Sequence, residues 1–227
     1  CARMLESMGV DRVVAVDLHC GQIQGFFGPQ TPCDNLEAQV VALDHFSQLN
    51  LIGDTTKVIS PDAGGVYRAK SFRDGLAERG VDAGLAMIIK QRVKANQIER
   101  MDLVGEVDGC DVIIVDDMID TAGTLCTAAK ELKNRGAKRV FAFATHGVFS
   151  DPAYDRIKNS VLEEVVVCNT IPLRPDRDHS KIKQLSVGKL LAEAIARIHS
   201  QSSVSTLFTK DAPAKKETAP TSTEAPK

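Results

Sequence analysis

One continuous stretch, residues 112–124, constrains the fold of this chain more than any other part of it. It begins with four apolar, mostly β-branched residues (112–115), a pattern typical of a strand buried on both faces in a parallel sheet. Asp116 and Asp117 follow, and then a loop of small and hydroxyl-bearing residues (120–124) leads into a helical periodicity. Because a loop at a helix start presents free backbone amides, this arrangement favours an anion. Adjacent carboxylates suit sugar hydroxyls or a metal, so the stretch predicts a phosphorylated-sugar site.

The loop itself supplies the rest of that predicted site. Its members are Asp120, Thr121, Ala122, Gly123 and Thr124. The two threonines add hydroxyl donors to the backbone amides. A structural alternative stays open, since a strand that ends in Asp and leads into a Thr-capped helix is common in α/β proteins. A Walker-type phosphate loop is excluded, because the required Gly-Lys-Ser/Thr ending is missing here.

Composition limits the classes of partner. The chain has 227 residues, with 28 Lys and Arg against 30 Asp and Glu and a net charge of −2. Because the basic residues are dispersed, neither nucleic acid nor an anionic membrane is expected as a main partner. The apolar runs are too short to span a bilayer. Six cysteines without metal-type spacing indicate reduced thiols and a cytoplasmic location.

Strand-like and helix-like patterns alternate along the chain. The predicted strands cover 13–16, 58–60, 85–89, 112–115, 140–144 and 165–167, and the predicted helices 36–49, 66–78, 125–135 and 187–198. This alternation predicts an α/β fold, a parallel sheet with helices on both faces. Ligands are then expected at the carboxyl ends of the strands. Residues 1–9 indicate the last turns of a helix closed by Gly9.

The run 116–124 resembles the phosphoribosyl pyrophosphate signature shared by type I phosphoribosyltransferases and ribose-phosphate pyrophosphokinases. Further motifs, in chain order, resemble the second of these families. They are Asp17-Leu18-His19, residues 22–27, residues 60–65, Lys90-x-Arg92-x-x-x-Asn96, Thr145-His146-Gly147 and residues 169–172. The resemblance extends from residue 1 to about 208. It implies a type I phosphoribosyltransferase-like fold with residues 1–34 ending a truncated first domain, 35–200 forming the second and 201–210 packing back on the first. Residues 211–227, rich in Ala, Pro, Thr, Lys and Glu and without periodicity, are expected to form a disordered tail.

The resemblance also implies a reaction, in which the diphosphoryl group of ATP passes to the anomeric hydroxyl of ribose 5-phosphate. Phosphoribosyl pyrophosphate and AMP are the products, and Mg²⁺ is the cofactor. The implied ribose 5-phosphate residues are Asp62, Asp116, Asp117, Asp120, Thr121, Ala122, Gly123 and Thr124. Lys90 and Arg92 are the implied catalytic residues, on a polar, basic segment that could close over the transferring phosphate.

The implied metal residues are Asp17, His19 and Asp34. A regulatory site between subunits of a homo-oligomer, or of a complex with related subunits, is implied for Gln24, Asn35, Ser203, Ser205 and Phe208. Asp34 matches positions of both kinds, so its assignment stays open. Asp62 has a structural alternative as a turn-forming residue after Pro61.

Two other functions stay open from the sequence. A phosphoribosyltransferase would use the same loop 120–124, but it would not need Asp17-Leu18-His19 or the Lys90-x-Arg92 segment. A non-catalytic regulatory subunit of a pyrophosphokinase complex is the other alternative, although such members look eroded in this loop and the present chain is intact there.

Overall fold

The computed structural model describes residues 1–91 and 100–207. The strands are β1 (Val13–Val16), β2 (Cys33–Leu36), β3 (Thr56–Ser60), β4 (Gly84–Gln91), β5 (Arg100–Val104), β6 (Asp111–Ile119), β7 (Arg139–Gly147), β8 (Glu164–Cys168) and β9 (Ile182–Leu185). The helices are α1 (Ala2–Ser7), α2 (Gln39–Ser47), α3 (Val66–Glu78), α4 (Gly123–Asn134), α5 (Ala153–Lys158) and α6 (Gly188–His199). Short 3₁₀ helices cover Gly21–Phe26, Gly53–Thr55 and Ser205–Leu207.

Strands β3 to β9 form one seven-stranded sheet in the order β5-β4-β3-β6-β7-β8-β9. Every neighbouring pair is parallel except β4 and β5, which are antiparallel. Strands β1 and β2 form a separate parallel pair. The predicted α/β fold with a parallel sheet is confirmed, except that the edge strand β5 is antiparallel.

The core lies in two layers, one on each face of the large sheet. Along β6, Val112 and Ile114 pack with α4 and α5, whereas Ile113 and Val115 pack with α2 and α3. This division follows from the two-residue period of a strand, which sends successive side chains to opposite faces. A continuous apolar run is therefore what a strand covered by helices on both faces requires, as the sequence predicts.

Two local predictions are wrong. The helix expected over 36–49 is shorter: Cys33–Leu36 forms β2, paired with β1, and α2 begins only at Gln39. Likewise, the segment expected to be a polar loop from residue 90 begins inside β4, which continues to Gln91 and pairs with β5. In both places backbone pairing with a neighbouring strand overrides the local pattern.

A small third core attaches the N-terminal part to the rest of the protein. Leu36, Leu190, Ala194 and Val204 are buried together, and Val14 and Val16 of β1 pack against them. Residues close to the end of the described chain thus contact both α6 and the β1–β2 pair. Within residues 1–91 and 100–207, no helix is long and apolar enough to cross a membrane.

An ion pair at the start of β6 gives a stability prediction. Arg139 donates to both carboxylate oxygens of the buried Asp111, at 2.9 and 2.6 Å. This hydrogen bonding outweighs burial and lowers the pKa of Asp111. The stabilisation is therefore fully present above the ordinary Asp pKa near 4 and is lost progressively as the pH falls from there through the lowered pKa of the folded state. We expect Asp111→Asn to lower the free energy of unfolding by about 1–3 kcal/mol at pH 7 and by less at pH 3, measured by urea denaturation.

The matched control is Asp44→Asn, because Asp44 also pairs with an arginine, Arg79, but is 69% exposed. Its effect is expected to stay below about 0.5 kcal/mol. An Asp111→Asn effect of the same size at both pH values would contradict the assignment.

Candidate functional site

The carboxyl end of β6 sends two adjacent carboxylates to opposite faces of the sheet. Asp116 lies on the same face of the strand as Ile114, and it lines a cavity together with the loop after the strand. Asp117 lies on the same face of the strand as Val115. It is buried, and its carboxylate accepts a hydrogen bond at 2.6 Å from Nδ1 of His19. Because strand β6 continues to Ile119, the acidic pair belongs to the strand and serves two different regions.

The first region is a cavity of about 230 Å³ formed largely by the loop after β6. The loop residues Asp120, Thr121, Ala122 and Thr124 line it, together with Asp116 and Pro61 from the end of β3. Helix α4 begins at Gly123, so its first backbone amides and its positive dipole end lie at this cavity. Of the eight residues that the sequence predicts for a sugar phosphate, the structure brings five to this cavity, Asp116 and these four loop residues. Asp62 and Asp117 do not line it.

The loop has an unusual backbone conformation. Ala122 lies in the left-handed region, with φ of 56°, although it is not a glycine and its side chain is buried. Its carbonyl accepts the amide of Cys126 at 3.0 Å, the first turn of α4. This conformation raises the backbone energy of residues other than glycine, and such strain is concentrated at functional sites.

The second region is a cavity of about 490 Å³ between the N-terminal segment and the large sheet. Asp17, His19, Asn35 and Glu37 line one side, and Arg68 of α3 lines the other. Nη1 of Arg68 lies 3.7 Å from Asp116, and its Nη2 lies 4.0 Å from Asp117. One guanidinium therefore faces both carboxylates, which reduces their mutual repulsion.

The acidic pair has strongly perturbed ionisation. Burial, together with the neighbouring Asp117 carboxylate, raises the pKa of Asp116 to about 7. Burial opposes ionisation of Asp117 as well, but the hydrogen bonds from His19 and Asp116 lower the pKa of Asp117. The same bond to Asp117 raises the pKa of His19. Two carboxylates whose pKa values are pushed in opposite directions make this pair a candidate for a functional site.

Asp17 connects the N-terminal segment to the large sheet. Its Oδ2 accepts the amide of Ala38 at 2.9 Å and the hydroxyl of Thr145 at 2.6 Å. Nε2 of His146 lies 3.0 and 3.1 Å from the carbonyls of Val16 and Asp17, and because carbonyls only accept, this nitrogen is the donor. His146, a motif residue without a role in the sequence analysis, thus fixes the end of β1.

The three predicted metal residues do not meet at one point. Asp34 lies in β2 and forms an ion pair with Arg12 at 2.5 Å. Within the part of the chain that the structure describes, no group of three or more His, Cys, Asp or Glu is arranged to hold a metal. His19 and Asp17 do line one cavity. Such a pair fits magnesium, which often binds through few protein ligands and completes its shell with water and substrate phosphates.

Other predicted residues are distributed as follows. Asp62 forms a turn, since its Oδ1 accepts the amide of Gly65 at 2.9 Å, and among the described residues neither cavity includes it. Asn35 accepts the amide of Leu18 and lines the larger cavity. Gln24, Ser203 and Ser205 lie outside the described lining of that cavity. Lys90 belongs to β4 by its backbone, whereas Arg92, Asn96 and Phe208 lie outside the described residues.

Sequence reasoning missed two arginines at this site. Arg68 faces the acidic pair, and Arg156 of α5 donates from Nη1 to the carbonyl of Thr121 at 2.9 Å. Arg68 follows the Gly64-Gly65 turn on the first turn of α3, which gives a weak signal. Arg156 is 35 residues from the loop and has no local signal.

The fold and site together define a class of protein. Residues 58–209 match the phosphoribosyl synthetase-associated domain family, and the chain belongs to this family. It is 49% identical over 208 residues to the ribose-phosphate pyrophosphokinase of Vibrio parahaemolyticus, covering 91% of this chain and 64% of that protein. The corresponding protein of Ralstonia nicotianae is 50% identical over 208 residues, covering 91% and 63%.

A solved structure agrees with these sequence relatives. The phosphoribosylpyrophosphate synthetase of Mycobacterium smegmatis superimposes with a TM-score of 0.78 at 38% identity, covering 88% of this chain and 63% of that one. The chain spans about three fifths of the length of the relatives that it matches.

Proposed function

We propose that this chain acts in ribose-phosphate diphosphokinase chemistry, in which ATP and ribose 5-phosphate give phosphoribosyl pyrophosphate and AMP. The observation that carries the proposal is the single cavity shared by Asp116 and the loop 120–124. It combines a helix start suited to phosphate with carboxylate oxygens suited to sugar hydroxyls. The printed names of the relatives support the same reaction.

The proposed ribose 5-phosphate site follows from this geometry. Backbone amides of 121–124 and the hydroxyls of Thr121 and Thr124 hold the 5-phosphate, while Asp116 accepts hydrogen bonds from ribose hydroxyls. Asp117, which the resemblance also assigns to the sugar, does not line this cavity and bonds to His19 instead. Asp120 borders the same cavity. Asp62 serves this site indirectly, because it shapes the turn after Pro61, a residue that lines the cavity.

The larger cavity is the proposed place for the ATP phosphates. His19 and Asp17 face it, and His19 is held by Asp117, so the two substrates meet across the carboxyl end of β6. Magnesium, when bound near His19 and Asp17, would neutralise phosphate charge. We assign Asp34 to the regulatory set with Gln24, Asn35, Ser203, Ser205 and Phe208, because its carboxylate is paired with Arg12 and it does not line the cavity of His19 and Asp17.

Catalysis in this proposal consists of positioning and charge stabilisation. The anomeric hydroxyl attacks the β-phosphorus of ATP, AMP leaves, and Lys90 and Arg92 stabilise the negative charge on the transferring group. The proposed setting is the cytoplasm, with the chain assembled as a homo-oligomer or with related subunits.

Phosphorus NMR tests the proposal directly. A time course of the chain with magnesium, ATP and ribose 5-phosphate is expected to show AMP together with a new sugar diphosphate. A shifted or broadened sugar-phosphate resonance without product would contradict turnover by this chain and support the regulatory alternative. A folded sample that changes no resonance would contradict the proposed site as well.

A further inference from the structure

Arg156 contacts the loop 120–124 without lining the cavity. It is exposed, and it is not among the described residues that line the cavity. Its Nη1 nevertheless donates to the carbonyl of Thr121 at 2.9 Å. Arg156 thus contacts the backbone of the loop from a different element, α5.

The planar peptide between Thr121 and Ala122 transmits this contact. In a trans peptide the carbonyl and the following N–H point in opposite directions. Because Arg156 holds the carbonyl of Thr121 on its own side, the amide of Ala122 points away from the guanidinium. Phosphate binding at a helix start depends on backbone amides whose direction is fixed in this way. The left-handed conformation of Ala122 needs such a hold, since an alanine does not favour it.

Two neighbouring features make the contact possible. A Cβ placed on Gly123 would lie 3.2 Å from Nη1 of Arg156, so glycine leaves the room that the guanidinium occupies. Helix α5 is fixed by the buried Ala153, Tyr154 and Ile157. The Tyr154 hydroxyl accepts the amide of Arg174 at 3.0 Å. Arg156 therefore extends from a packed element, which is what accurate positioning needs.

We propose that Arg156 is a positioning residue for the phosphate-binding loop: it orients the amide of Ala122 and so sets the affinity for the 5-phosphate group. The inference rests on the proposed function, because it specifies which group holds the sugar-phosphate loop in its binding conformation. Arg156 touches no substrate in this assignment. Its contribution is expected in phosphate affinity and not in the folding of the domain.

The test compares Arg156→Ala and Arg156→Lys with the control Lys158→Ala. The control removes a cation from the same helix, and this cation pairs with Asp178. Ribose 5-phosphate and inorganic phosphate are titrated separately, with phosphorus NMR as the readout. We expect Arg156→Ala to weaken both ligands about 10-fold, Arg156→Lys to weaken them less, and Lys158→Ala to leave them unchanged. The thermal unfolding midpoints of the three variants should agree. If Arg156 only stabilised the fold, Arg156→Ala would have a lower midpoint than the other two.

A second readout reports on the peptide itself. In ¹⁵N-alanine-labelled protein, with Ala122→Gly as the assignment control, the Ala122 amide should shift on phosphate addition in the wild type but not in Arg156→Ala. Unchanged affinity in Arg156→Ala, or an equal loss in Lys158→Ala, would overturn the inference while leaving the proposed function in place. Failure of the wild type to bind ribose 5-phosphate would instead overturn the proposed function.

Discussion

Replacing Asp116 with asparagine is expected to weaken ribose 5-phosphate binding about 100-fold and, at the same time, to raise the free energy of unfolding above pH 7. The loss of affinity follows because the carboxylate accepts hydrogen bonds from sugar hydroxyls, and hydrogen bonds to charged groups contribute about 1.5–3 kcal/mol each. Isothermal titration calorimetry with ribose 5-phosphate measures this part. The cavity position of Asp116 beside Thr121 and Thr124 is the structural basis.

The gain in stability follows from the raised pKa of Asp116, about 7. The folded protein binds the proton of this carboxyl more tightly than the unfolded chain does. Folding is therefore penalised progressively as the pH rises from about 4 to 7, and the penalty stays constant above that range. Asparagine removes it, so the stability difference between variant and wild type should grow over this pH range in urea denaturation experiments.

The control is Asp82→Asn, a change of an exposed carboxylate in the loop before β4. It should alter neither binding nor the pH dependence of stability. Equal affinity of Asp116→Asn and the wild type would show that this carboxylate does not contact the sugar. A variant that is less stable than the wild type at pH 8 would contradict the raised pKa.

The second large effect is expected in the core beneath the larger cavity. Phe72 of α3 is fully buried, with its ring centroid 5.7 Å from that of Phe46 and 5.6 Å from that of Phe143. Removing a buried aromatic ring costs its transfer energy and leaves a cavity, so Phe72→Ala should lower the free energy of unfolding by about 3–5 kcal/mol. Because Phe143 also borders the larger cavity, the substitution should loosen that wall too.

Tyr67→Ala provides the comparison, since Tyr67 lies on the same helix and is 77% exposed. Its effect on unfolding by urea should be within about 0.5 kcal/mol. If Phe72→Ala cost less than about 1 kcal/mol, the aromatic cluster would not be the packed unit that its geometry indicates.

Much of the fold follows from local patterns in the sequence. Helix α3 occupies 66–78, as predicted, and the strand and helix around the loop 120–124 were also predicted because long apolar runs and helical periodicity coincide there. Strands β2, β5 and β9 were missed. They are short, carry mixed polar and apolar residues, and owe their conformation to a neighbouring strand.

The site was predictable only where it is contiguous in sequence. Residues 116–124 are consecutive, so their types and spacing reveal an anion site. The bond between His19 and Asp117 joins residues 98 positions apart, and that between Arg156 and Thr121 joins residues 35 apart. Such contacts depend on how elements pack, and no local pattern carries that information.

We expect the small β1–β2 sheet to be the part of this protein that separates first. It is attached by the hydrogen bonds around Asp17 and His146, by the bond between His19 and Asp117 and by a satellite core of four buried residues, whereas β6 and β7 pair with strands on both sides. Each such bond contributes about 0.5–1.5 kcal/mol, so sub-global opening of this segment costs far less than unfolding of the domain. Both parts form walls of the larger cavity. We therefore expect a molecule held there to leave by partial detachment of the N-terminal segment, while the seven-stranded sheet stays intact.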